Sequence, residues 1–119
     1  MKKFRMEEFV QMQNPTPHER YKLDILTGKQ NAKALGGHFS TLFPGGKLPC
    51  HYHDKRESLI FLISGEIVEI VEGEEHAMKA GDAIFIPAGE KHQMENRSDK
   101  EVRYLEFFSP LGFDTIQVK

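Results

Sequence analysis

Gly81-Asp82-Ala83-Ile84-Phe85-Ile86-Pro87-Ala88-Gly89-Glu90-Lys91-His92-Gln93-Met94-Glu95-Asn96 reads as two short strands hinged on a turn. Ala83 to Pro87 is a β-branched and aromatic run, and Pro87-Ala88-Gly89 breaks it with the residues that reverse a chain. His92 to Asn96 then starts a second strand. The preceding Ala80-Gly81-Asp82 is itself a turn, so the whole stretch is strand and punctuation with no helical periodicity.

The same pattern extends in both directions. Strands are predicted at Lys22 to Leu26, Ala32 to Phe43, Ser58 to Ser64, Glu66 to Val71, Glu74 to Lys79, Val102 to Ser109 and Phe113 to Val118. Gly28, Pro44-Gly45-Gly46, Glu72-Gly73 and Arg97-Ser98-Asp99-Lys100 separate them. Many short strands joined by tight turns should pair antiparallel and close into a sandwich or barrel. Residues 1–20, with Pro15 and Pro17, read as an N-terminal arm or edge strand, and residues 21–119 as one barrel domain. Such arms often pack on a second subunit, so a homodimer is expected.

Composition bounds the function. At 119 residues the chain suits one domain with a real core, and its 39% hydrophobic and 29% charged residues suit a soluble one. Its 16 Lys and Arg are scattered among 18 Asp and Glu, so no basic stripe recommends nucleic acid. Met1 to Val10 starts basic but never reaches a signal peptide's apolar run, and Leu59 to Ile63 is far too short to span a membrane. A cytoplasmic protein is expected. Cys50 is alone and cannot staple the fold.

Histidines carry the chemistry. His51 and His53 are two apart, and in a strand both imidazoles face one side, roughly 6.5 Å apart at Cα. Glu57 shares their parity, but a fully extended chain would carry it roughly 13 Å from His53. A turn at Asp54-Lys55-Arg56 would bring it back beside the pair. His92 follows its own turn and is the best remaining ligand. His51, His53, Glu57 and His92 would make a borderline site for one divalent transition metal, Mn, Fe, Co, Ni, Cu or Zn, rather than Ca or Mg. Solitary His18, His38 and His76 read as surface or satisfied core residues, Cys50 as a small packed thiol, and the Glu72 to Glu75 cluster as a solvated hairpin tip.

These residues resemble the cupin superfamily, whose motifs are G-x5-H-x-H-x3,4-E-x6-G and G-x5-P-x-G-x2-H-x3-N. Gly81, Pro87, Gly89, His92 and Asn96 satisfy the second at every position. The first fits through Gly45, His51, His53 and Glu57, but seven residues rather than six then separate Glu57 from Gly65. Either a β-bulge absorbs the extra residue, or Ser58 occupies the carboxylate position; Glu57 is the favoured ligand. With Glu57 facing inward and no bulge, Leu59, Phe61 and Ile63 would line the barrel interior. For Tyr104 and Glu106 against Leu105 and Phe107, either pair could face the cavity.

The resemblance implies an all-β double-stranded β-helix, the jelly-roll barrel of cupins, with the metal inside one end and open positions facing a pocket. It implies a metal-dependent enzyme of dioxygenase, isomerase or lyase type acting on a small chelating organic molecule. The alternatives are a non-catalytic module that binds or senses a small molecule, and a metal-free epimerase with a histidine as general base.

Overall fold

A computed structural model describes residues 1–29, 32–112 and 114–118. Eleven strands and one short helix are found among them. Helix α1 (Met6–Met12) precedes β1 (Asn14–Thr16), β2 (Arg20–Leu26), β3 (Gly36–Leu42), β4 (His51–His53), β5 (Glu57–Ser64) and β6 (Glu66–Val71). There follow β7 (Glu74–Lys79), β8 (Ala83–Ile86), β9 (His92–Glu95), β10 (Val102–Ser109) and β11 (Thr115–Gln117). Two antiparallel sheets face one another, ordered β1-β2-β3-β10-β5-β8 and β11-β4-β9-β6-β7. This is the all-β, double-stranded β-helix expected. The last strand was placed from Phe113, which lies outside the described residues.

The apolar residues of alternating strands meet between the sheets. Leu42, Ile60, Leu62, Ile67, Met78, Ile86, Met94, Val102 and Tyr104 form one buried cluster there. A second cluster lies on the outer face of the six-stranded sheet, where Phe9, Ile25 and Phe39 are buried. Residues 1–20 hold a helix that the sequence reading did not contain. Glu7 and Glu8 occupy its first turn, where they complement the helix dipole, and Phe9 packs on Phe39 with ring centroids 5.5 Å apart. Seven residues are too few for a stable isolated helix, so burial of Phe9 is what holds it.

One inference about β5 is corrected. Its buried residues are Ser58, Ile60 and Leu62, while Leu59 and Phe61 are 44% and 42% exposed. The interior face is therefore one residue out of step with the face expected, because strand parity allows a single slip to invert every side chain. A register irregularity does exist: Arg103 pairs with Ser64 while the adjacent Tyr104 pairs with Leu62, so Ile63 is the extra residue. It lies beyond Leu62 and leaves the parity of Glu57 to Leu62 untouched. At the end of this strand Gly65 turns with φ +84°, and a Cβ there would stand 2.8 Å from Val102 Cγ2.

Candidate metal centre

β4 places His51 and His53 on one strand, and register pairing sets His51 directly opposite His92 of β9. Their ring centroids are 4.3 Å apart for His51 and His92, 5.1 Å for His51 and His53, and 5.3 Å for His53 and His92. One candidate ligand atom from each lies within 4.8 Å of the other two.

Each ring is oriented through its other nitrogen. Nδ1 of His51 is 2.7 Å from the Pro49 carbonyl, that of His53 is 3.0 Å from the Asp114 carbonyl, and that of His92 is 2.9 Å from the Glu90 carbonyl. A carbonyl only accepts, so each Nδ1 carries a hydrogen, which leaves Nε2 as the nitrogen that can offer a lone pair. His53 Nε2 is buried with no hydrogen-bond partner among the described residues. Burial, reinforced by repulsion from His51 and His53, pushes His92 down to about 4 despite the Glu90 carbonyl and Glu106. Burial likewise lowers His53. Three imidazoles, each held through Nδ1 and grouped closely enough to share one ion, are the donor set of a transition-metal site, and the residues fit one ion.

Glu57 is not brought to them. It is exposed at the start of β5, on the face opposite buried Ser58, and does not join the three-histidine group. The Asp54-Lys55-Arg56 turn forms as expected, held by Asp114, whose carboxylate accepts from the backbone N–H of all three residues at 2.8 to 3.2 Å. That turn ends one residue too early for Glu57 to face inward. Ser58 takes the inward position, with its Oγ buried and without a hydrogen-bond partner among the described residues.

The cavity under the histidines has a volume of about 920 Å³ and draws residues from both sheets. Tyr104 and Glu106 are the inward pair of β10, with Leu105 and Phe107 packed against the outer cluster. His38, read from the sequence as a bystander, lines the cavity, its Nδ1 2.7 Å from Ser40 Oγ and its Nε2 3.6 Å from Glu106. Burial would raise the Glu106 carboxyl, but the His38 hydrogen bond and the electrostatic influence of the His38, His92 and His51 rings hold it at about 2. Arg56 also lines the cavity, stacked 3.8 Å over the Phe108 ring and donating from Nη2 to the Gly112 carbonyl at 2.6 Å. His38 and Glu69 were missed because they reach the site from strands remote in sequence and match no motif; for Glu106 the sequence left open which face of β10 turns inward. Asn96 does its work behind the site. Buried, it donates to the Leu42 and Lys100 carbonyls and accepts from Ser98, which shapes the 97–100 turn.

Residues 38–108 match the family model for the cupin domain. The chain belongs to the cupin family. It is 36% identical over 76 residues to the tetracenomycin polyketide synthase protein TcmJ of Streptomyces glaucescens, covering 64% of this chain and 50% of that one. Against the oxalate-binding protein of Thermotoga maritima it is 31% identical over 62 residues, covering 52% and 51%. This cupin thus spans about half the length of the curated relatives it matches. Among solved structures, the polyketide cyclase RemF of Streptomyces resistomycificus superposes with a TM-score of 0.84 at 21% identity, covering 100% of this chain and 86% of that one. A protein of Thermotoga maritima described as a predicted oxalate decarboxylase gives 0.71 at 26%, covering 77% and 81%. Among the described residues no helix is long and apolar enough to cross a membrane.

Proposed function

We propose that this cupin is a metal-dependent enzyme acting on a small organic molecule that chelates through two oxygens, by dioxygenase, isomerase or lyase chemistry. The observation that carries the reading is the grouping of His51, His53 and His92, each anchored through Nδ1 to a backbone carbonyl and with candidate ligand atoms within 4.8 Å of one another. One divalent ion of Mn, Fe, Co, Ni, Cu or Zn would be held by these three nitrogens and would supply Lewis-acid or redox chemistry when bound. The protein's own groups then divide the labour. Arg56 presents positive charge for an anionic substrate, ionised Glu106 accepts a hydrogen bond or a proton, and His38 holds that carboxylate in place. Ile60, Met94 and Phe108 supply dry walls.

In this reading the barrel of residues 21–119 carries the site and the arm of residues 1–20 covers its outer face. A homodimer is supported by Leu59, Phe61 and Phe85, 44%, 42% and 55% exposed on one side of the six-stranded sheet. A cytoplasmic location suits the free thiol of Cys50.

A second reading, a non-catalytic binding module, is favoured by one observation: an uncharged Ser58 stands where a fourth, anionic ligand was expected. The similarity to an oxalate-binding protein points the same way.

Elemental mass spectrometry on untagged wild type, His51→Ala and Glu57→Ala tests the site. We expect about one transition metal per chain, lost in His51→Ala and retained in Glu57→Ala. Metal-free wild type after reconstitution would end the metal-dependent reading. Incubation of reconstituted protein with chelating acids, followed by mass spectrometry, separates enzyme from binder by turnover against intact recovery.

A further inference from the structure

A carboxyl group is rarely buried without a partner, because water satisfies it far better than an apolar interior does. Glu69 is 1% exposed. It lies on the inward face of β6 with Ile67 and Val71, directly across from buried Met94. Its Oε2 is buried and has no hydrogen-bond partner among the described residues. Leucine or methionine would fill the same space without the desolvation cost, so packing does not call for an acid here.

The position suggests what does. Glu69 lines the same cavity as the three histidines. Val71 is the register partner of His92, so Glu69 stands two residues further along the strand, roughly 6.5 Å beyond the histidine level toward Met94. Glu106 lines the cavity from the facing sheet. Burial, and then the negative charge of Glu106, hold Glu69 well above the usual carboxylate range. Two carboxyl groups in one cavity thus take opposite forms: Glu106 accepts hydrogen bonds, and Glu69 has one to donate.

We propose that Glu69 is a ligand-recognition residue, whose carboxyl binds an oxygen of the small molecule at the end remote from the three histidines. The ligand class follows. It is an acid with a chelating oxygen pair at one end and a further hydroxyl or carbonyl oxygen several atoms away, as in hydroxylated aromatic acids and poly-keto acids. This deepens the metal-dependent reading and rests on it.

The test uses cobalt-loaded protein, whose visible absorption reports chelation, and two probes differing in one oxygen. Salicylate carries the chelating carboxylate and hydroxyl; β-resorcylate adds a hydroxyl para to the carboxylate. A neutral hydrogen bond at the remote end should favour β-resorcylate by about fivefold to tenfold in wild type. The preference should fall to about twofold or less in Glu69→Leu and be largely kept in Glu69→Gln, whose amide still donates. Salicylate affinity should barely change in either variant. An infrared difference spectrum of metal-free wild type minus Glu69→Gln should show the carbonyl stretch of a protonated acid.

A wild-type preference that survives in Glu69→Leu, or no preference in cobalt-loaded wild type, would overturn the Glu69 assignment alone. Absence of the infrared band would remove its donor role. Failure of wild type to take up cobalt would instead overturn the metal-dependent reading, and the ligand class with it.

Discussion

Lowering the pH should destabilise the metal-free protein through His92 in particular. Its imidazole is buried and titrates at about 4, against an ordinary value of 6.5 in the unfolded chain. Between those values the unfolded state binds a proton that the native state refuses, so stability falls as pH drops from about 6.5 and the loss is complete near 4. At about 1.4 kcal/mol per pH unit the interval amounts to roughly 3 kcal/mol. Urea unfolding of chelator-treated wild type and His92→Gln, at several pH values across this range, isolates the effect, since every other titrating group is shared. Wild type should lose roughly 3 kcal/mol more than the variant between pH 7 and pH 4. Parallel curves would refute the assignment of a buried, neutral imidazole. Metal added at pH 7 should raise the unfolding midpoint of wild type, because only the native state holds the three nitrogens together.

Three other outcomes can be checked by denaturant or thermal unfolding. Leu62→Ala should cost about 2–5 kcal/mol and Leu59→Ala under about 1 kcal/mol, because Leu62 is fully buried and Leu59, on the opposite face of β5, is 44% exposed. Similar costs would contradict the parity of that strand. Asn96→Ala should cost about 2–3 kcal/mol by stranding the Leu42 and Lys100 carbonyls, while Asn96→Asp, which cannot donate to them, should recover little of it. Glu69→Leu should stabilise the metal-free protein by about 1–3 kcal/mol near neutral pH. Folding holds a proton on Glu69 above its ordinary 4.5, so wild-type stability falls as pH rises past that value and the advantage of Glu69→Leu grows. An advantage that shrinks between pH 5 and pH 8 would count against a protonated Glu69.

The sequence by itself determined the architecture and pointed to the three histidines that the structure groups in the candidate site. Alternating strands and Gly/Pro turns encode an antiparallel barrel locally, and a motif of fixed offsets from Gly81 to Asn96 leaves little freedom for His92. The His51 and His53 pair is legible for the same reason: two residues apart in a strand is a local distance. Helix α1 was invisible because seven residues lack a helical period to detect, and their helicity comes from Phe9 packing on Phe39. Only the tertiary structure decided which way Glu57 faces, since a turn that ends one residue earlier exchanges it with Ser58 and no local pattern distinguishes the two. It alone assembled the two carboxyls and His38 in the cavity. Glu69, Glu106 and His38 come from β6, β10 and β3, and their proximity arises from two sheets closing face to face. The burial that gives those groups their protonation states is a property of that closure, and no single strand contains it.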